Sequence, residues 1–178
     1  MTSIAALSVA EGHDVISGLR SVCANRSLPA LERRLAELAE LVRWDLGAVN
    51  AGLAALEFDD LPVRASARHL VDLGGKRLRP ICVALAAKVG RGFEAAALEH
   101  AIAAELVHSA TLLHDDVVDL GDRRRGEPAA RSVWGNAASI FAGDWLLIEA
   151  LRRVRAAGVP GTLEHLLEII DEMIQAES

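Results

Sequence analysis

From Phe93 to Leu120 the chain runs through 28 residues without a glycine or a proline, rich in alanine and leucine. A segment this long, with no residue that breaks a helix and with apolar side chains on more than one stripe, predicts a single helix buried on most of its sides. A helix of that kind needs other elements packed around it. The rest of the chain supplies helix formers rather than strand formers: Ala, Leu, Glu and Arg dominate, Tyr is absent and aromatics make up 3%. With 178 residues, 52% of them hydrophobic, the chain is long enough to bury a core as one all-α domain.

Other helices follow from spacing. Leu31, Leu35, Leu38, Leu41, Val42, Leu46, Val49, Leu53 and Leu56 recur at intervals of three and four and predict one long amphipathic helix, with Ser27 as its cap. Pro62 fits the first turn of a helix that ends at Gly74-Gly75, and Pro80 opens another that runs to about Val89. Gly121 to Pro128 reads as a charged loop and Arg131 to Arg155 as one helix. Thr162 to Glu177 reads as a last amphipathic helix carrying Leu163, Leu166, Leu167, Ile170 and Ile174. Residues 1–27 lack sustained periodicity and are expected to be an extension or a short first helix, with the main domain in 28–178.

The formal net charge of −6 argues against a nucleic-acid partner, which needs a broad basic face. Cys23 and Cys82 are too few for a disulfide framework or a zinc site and are expected to be buried thiols. No apolar run is long enough for a membrane span and the N-terminus has no signal-peptide pattern, so a cytoplasmic protein is expected.

The long central helix ends in His114-Asp115-Asp116-Val117-Val118-Asp119. Asp115 and Asp119 lie about 40° apart on a helix and one turn along, so their carboxylates project side by side, with Asp116 flanking. Acids at a helix C-terminus oppose the macrodipole and one another, which calls for a compensating cation. Two readings stand for such a cluster alone: a solvated helix end, or a magnesium site in which carboxylates share the ion with phosphate oxygens. His108 lies seven residues before Asp115, about 20° away on the same stripe. It is either a satisfied core histidine or part of the same site.

Two basic runs favour the second reading. Gly74-Gly75-Lys76-Arg77-Leu78-Arg79-Pro80 puts three cations at a helix start, where free backbone amides already attract anions. It lacks the glycine spacing of a nucleotide triphosphate loop. Arg123-Arg124-Arg125-Gly126 follows the acids across a short loop. Two anion sites and one metal site suggest two diphosphate substrates.

The run Gly75-Lys76-Arg77, then the acidic run, then Arg124-Arg125-Gly126 resembles the motifs of the trans-isoprenyl (polyprenyl) diphosphate synthases. Gly135-Asn136-Ala137-Ala138 and Gly143-Asp144 are similar to the family's next helix. The resemblance covers roughly Leu31 to the end and implies the N-terminal half of an isoprenoid synthase-type helical bundle. It implies a prenyltransferase that condenses isopentenyl diphosphate with an allylic diphosphate, farnesyl or geranyl diphosphate. Asp115, Asp116 and Asp119 would bind Mg2+, with Asp115, Asp119 and Arg124 at the allylic diphosphate. Lys76, Arg77, Arg79, His108 and Arg125 would hold isopentenyl diphosphate. By the same resemblance the small Ala110, followed by Thr111, implies a medium-to-long product, and the local string is most similar to octaprenyl-type synthases. The family is usually dimeric, so a homodimer or heteromer is expected.

The family's second aspartate-rich motif and its Lys-Thr and Phe-Gln pairs have no counterpart here, and Asp171-Glu172 lacks the spacing to replace them. The expectation is therefore a synthase half, inactive or incomplete alone. The alternative is a non-catalytic or regulatory helical subunit that binds isoprenoid diphosphates or completes a heteromeric synthase. A terpene cyclase shares the aspartate-rich helix but has no use for the second cationic set.

Overall fold

The computed structural model describes residues 14–177, so residues 1–13 of the N-terminal extension lie outside the described residues, and the rest of it forms a short first helix. Those described form eight helices and one short hairpin. Helix α1 spans Val15–Asn25, α2 Pro29–Ala54, α3 Pro62–Asp72, α4 Leu78–Val89 and α5 Ala95–Val118. The hairpin pairs β1, Arg123–Arg124, with β2, Glu127–Pro128. Then follow α6, Ala130–Trp134, α7, Asn136–Ala157, and α8, Thr162–Glu177. The all-α expectation holds. Among the described residues no helix is long and apolar enough to cross a membrane.

Helix α5 is the axis, as its unbroken run predicts. It packs principally on α7 and also on α4 and α2. Small residues face each other across α5 and α7: Ala103, Ala110, Ala142 and Ala150 are buried, and Gly143 meets His114 so closely that a Cβ there would lie 2.3 Å from its Nε2. Backbones can approach this far only where side chains are small, and Leu106, Leu113 and Leu146 fill the space that remains. A second cluster joins Ile16 of α1 to Val42 and Leu46 of α2 and to Ile81 and Ala84 of α4.

Several local expectations are corrected. Ser27 does not cap α2. It adopts a left-handed backbone (φ 54°) and closes the end of α1 through its N–H to the Ala24 carbonyl, while Pro29 starts α2 without a side-chain cap. Helix α4 begins at Leu78, two residues before Pro80; the first three N–H groups of a helix have no internal acceptor, so a proline is tolerated there. The helix drawn through 131–155 is two, broken at Gly135, whose φ of 84° and ψ of 163° are open only to glycine. The charged loop contains the β1–β2 hairpin. Cys23 is buried, but Cys82 is exposed. Leu31 and Leu41 of α2 and Leu167 and Ile174 of α8 belong to apolar stripes yet are exposed among the described residues.

Candidate functional site

The acidic end of α5 is divided by its own helical geometry. Asp115 is half-buried and Asp119, the C-cap residue, is exposed, both on the open side of the helix. Asp116, a step of about 100° round, is 3% exposed and belongs to Arg124. The Arg124 Nε donates to both Asp116 oxygens at 3.0 Å, and a terminal nitrogen donates to Oδ1 at 2.5 Å. That hydrogen bonding raises the Arg124 pKa, partial burial opposes it, and the charges of Asp116, Asp115 and Asp119 add to the rise. Of the three expected carboxylates, Asp116 is thus engaged by Arg124, whereas Asp115 and Asp119 face the open side of the helix. Among the described residues no group of three or more His, Cys, Asp or Glu side chains could hold a metal ion, and the pair Asp115 and Asp119 is what remains open. Two carboxylates are what magnesium takes from a protein when phosphate oxygens and water complete its shell, so the residues present fit that ion.

The helix ends in a turn that L-residues rarely adopt. Leu120 has φ 55°, Gly121 donates its N–H to the Asp116 carbonyl at 2.9 Å, and Leu120 donates to Val117. This is the two-bond closure that usually has glycine where Leu120 stands. It turns the chain back so that Arg124 reaches Asp116.

Next comes the hairpin. Arg125 and Gly126 form its two-residue turn, with φ of 52° and 89°. Positive φ at both positions matches the right-handed twist of the flanking strands. The turn sends neighbouring arginines to different partners. Arg124 goes to Asp116, whereas Arg125 reaches Gly75, where an added Cβ would lie 3.1 Å from an Arg125 terminal nitrogen and 3.1 Å from Glu105 Oε1. Two basic runs far apart in sequence thus meet at one acid.

Glu105 of α5 is that acid. It is buried and accepts from Arg77 at 2.7 Å, while Arg77 Nε donates to Asn50 Oδ1 of α2 at 2.9 Å. Arg77 has φ 50° and its side chain is 12% exposed. Arg125 has its pKa lowered, first by burial, with Glu105 opposing and Arg77 and Arg124 adding to the fall. His108, one turn beyond Glu105, has its pKa lowered by burial and by Arg79, Arg125 and Arg124, against the pull of Glu105. Among the described residues the side chains of Lys76, Arg79 and Arg125 make no hydrogen bond or ion pair, so this corner holds more positive charge than Glu105 neutralises. An excess of this kind attracts anions.

Of the residues expected from sequence, Arg77, Arg79, His108 and Arg125 are brought together around Glu105, Lys76 adjoins them as the neighbour of Arg77 in the chain, and Arg124 joins Asp116. Arg77 is committed to Glu105 and Asn50 rather than free. Ala110 is fully buried in the core, and Thr111 donates its hydroxyl to the His108 carbonyl at 2.8 Å. Sequence reasoning missed Glu105, although a charged residue three before His108 in a buried helix was a usable signal. It also missed the supports of the hairpin: His69 Nε2 donates to the Pro128 carbonyl at 2.9 Å with its ring edge-on to Trp134, and Arg131 holds Asp122 at 2.9 Å. His114, which heads the acidic run, ties α5 to α7 through the Ile140 carbonyl at 3.1 Å and Asp144 at 3.3 Å. No local pattern marks these long-range pairs.

The fold is that of the isoprenoid synthases. A polyprenyl synthase from Caulobacter crescentus CB15, solved with calcium and isoprenyl diphosphate, superposes with a TM-score of 0.74 at 35% identity, over 79% of this chain and 43% of that one. A geranyltranstransferase from Thermotoga maritima gives 0.72 at 27% identity, over 76% and 52%. The family model described as polyprenyl synthetase matches residues 62–178, and the chain belongs to that family. It is 38% identical over 135 residues to heptaprenyl diphosphate synthase component 2 of Geobacillus stearothermophilus, covering 75% of this chain and 42% of that protein. It is 37% identical over 145 residues to octaprenyl diphosphate synthase of Escherichia coli, covering 80% and 45%. The chain thus spans less than half the length of these relatives.

Proposed function

We propose that this chain forms the substrate-binding wall of a magnesium-dependent trans-polyprenyl diphosphate synthase, which condenses isopentenyl diphosphate with an allylic diphosphate. The observation that carries the reading is the separation of two charged corners on one helix: open carboxylates at Asp115 and Asp119, and an excess of cations around Glu105 and His108. The first corner suits an allylic diphosphate held with Mg2+, the second the diphosphate of isopentenyl diphosphate. Bound magnesium would supply charge neutralisation at the departing diphosphate. Of the chain's own residues, Arg124 lies beside the acids, held by Asp116, and Lys76, Arg79 and Arg125 keep donors free for the second diphosphate. His108, kept neutral by burial and by the arginines, offers one ring N–H without adding charge. Because Ala110 is small, a medium-to-long product is proposed, with Ala110→Phe expected to shorten it.

The test is incubation with magnesium, isopentenyl diphosphate and farnesyl diphosphate, alone and with a C-terminal half from a polyprenyl synthase. Elongated product in either case supports the reading; tight binding with no product in both turns it into a binding subunit. That second reading is favoured by one observation, since a relative named as a component of heptaprenyl diphosphate synthase matches 75% of the chain. A heteromeric synthase would use the same two corners.

A further inference from the structure

The loop that presents Lys76 and Arg77 is braced by helices that precede the family match at residues 62–178. Asn50 of α2 holds the Arg77 side chain. The backbone is held from α1: Val15, its first residue, donates its N–H to the Lys76 carbonyl at 2.8 Å. The opening N–H groups of a helix have no partner within it, so α1 gives up no bond of its own to make this one. Asp14 fixes where α1 starts, accepting from the Ser17 N–H at 2.9 Å. Ile16 is buried against Ile81, whose N–H in turn bonds the Arg77 carbonyl at 3.0 Å. Arg20 ties α1 to α2 through Glu32 at 2.8 Å.

The Lys76 carbonyl and the Arg77 N–H belong to one planar trans peptide and point in opposite directions. Fixing the carbonyl toward Val15 therefore turns the Arg77 N–H away from α1. Among the described residues that N–H donates to nothing. Arg77 is also in the left-handed region, at φ 50°. Such a backbone persists in an L-residue only where its surroundings over-determine it. Here they do so from three helices: α1 at the peptide, α2 and α5 at the guanidinium.

We infer that α1 is a strut for the anion-binding loop and that Val15 is a positioning residue, its backbone N–H setting the Lys76–Arg77 peptide for a diphosphate. The inference rests on the proposed function in so far as the ligand is a diphosphate. Val15→Pro tests it with little other disturbance, because proline is well tolerated at the first position of a helix. Asp14 already has the extended backbone, ψ 166°, that a residue before proline requires. Val15→Ala, which keeps the N–H, is the control.

Binding of isopentenyl diphosphate and of inorganic pyrophosphate is measured by calorimetry, with amide exchange at Ile81 as a second readout. Val15→Pro should weaken both ligands about fivefold, the scale of one net hydrogen bond, and speed exchange at Ile81; Val15→Ala should do neither. Wild-type affinity in Val15→Pro with α1 still helical overturns the strut. Should Val15→Pro fail to fold, Asp14→Ala frays the same end of α1 and should weaken binding in the same direction, an unchanged affinity counting against the inference. If the wild-type chain binds neither ligand, it is the proposed function that fails. Ile81 exchange then decides the strut alone, and no difference between Val15→Pro and wild type overturns it.

Discussion

The acidic end of α5 and the basic corner beside it are built on opposite plans. Asp115 and Asp119 are one turn apart on one helix, and no other element is needed to set them side by side. The basic corner draws Arg77 from the residue before α4, Arg125 from a hairpin turn, Asn50 from α2 and Glu105 and His108 from α5, with Val15 of α1 behind the loop. A site made from one turn of helix survives damage elsewhere as long as that helix forms. One assembled from five segments depends on each of them, and its geometry is as exact as its weakest support.

The two plans can be set against each other by mutation. Asp115→Asn should have the largest effect: magnesium-dependent binding of farnesyl diphosphate should fall by about a hundredfold or more, the scale of several kcal/mol for a lost metal ligand. Isopentenyl diphosphate binding, measured by calorimetry, should stay within about twofold; an equal loss of both would mean that the corners are one site. Glu105→Ala should do the reverse. It leaves Arg77 without its buried partner and should cost about 3 kcal/mol in urea unfolding, with isopentenyl diphosphate weakened more than magnesium-dependent farnesyl diphosphate.

Gly143→Ala probes the local plan from behind, since the new Cβ would overlap the His114 ring. Overpacking of this kind costs about 1–3 kcal/mol, and thermal unfolding should register it, with magnesium binding at Asp115 weakened as the end of α5 shifts. The smallest effect belongs to His108. Its pKa is lowered in the folded protein from an ordinary 6.5, so the unfolded chain binds the proton more readily. By linkage its contribution to stability is full above pH 6.5 and is lost as pH falls from there through the folded-state pKa. His108→Gln should flatten that part of the stability profile, and a profile unchanged by the substitution would remove His108 from the charged corner.

Much of the fold was legible because helix signals are local. The run from Phe93 to Leu120 gave α5 to within a turn at its start and within two residues at its end, and Pro62 marked the first residue of α3. The misreadings came where a neighbour several residues away decided the outcome. Gly135 could have continued a helix as a tolerated glycine, and only its backbone angles reveal the break. Cys82 lies in an apolar stretch, but among the described residues the face of α4 it occupies has no element over it. The charged loop after α5 held no strand-like pattern, since a two-residue ladder is set by its turn at Arg125 and Gly126.

The candidate site divides in the same way. The spacing of Asp115 and Asp119 and the presence of two basic runs are properties of the sequence alone, because residues four apart on a helix share a face whatever surrounds them. Which of the three clustered acids is buried, and which of two adjacent arginines pairs with it, only the tertiary structure decided. Asp116 faces inward and needs a buried partner, Arg124 is the cation the turn at Leu120 brings within reach, and Arg125 is carried by the hairpin to Gly75 and Glu105. A buried charge takes the partner that packing delivers to it, and no sequence spacing specifies that partner.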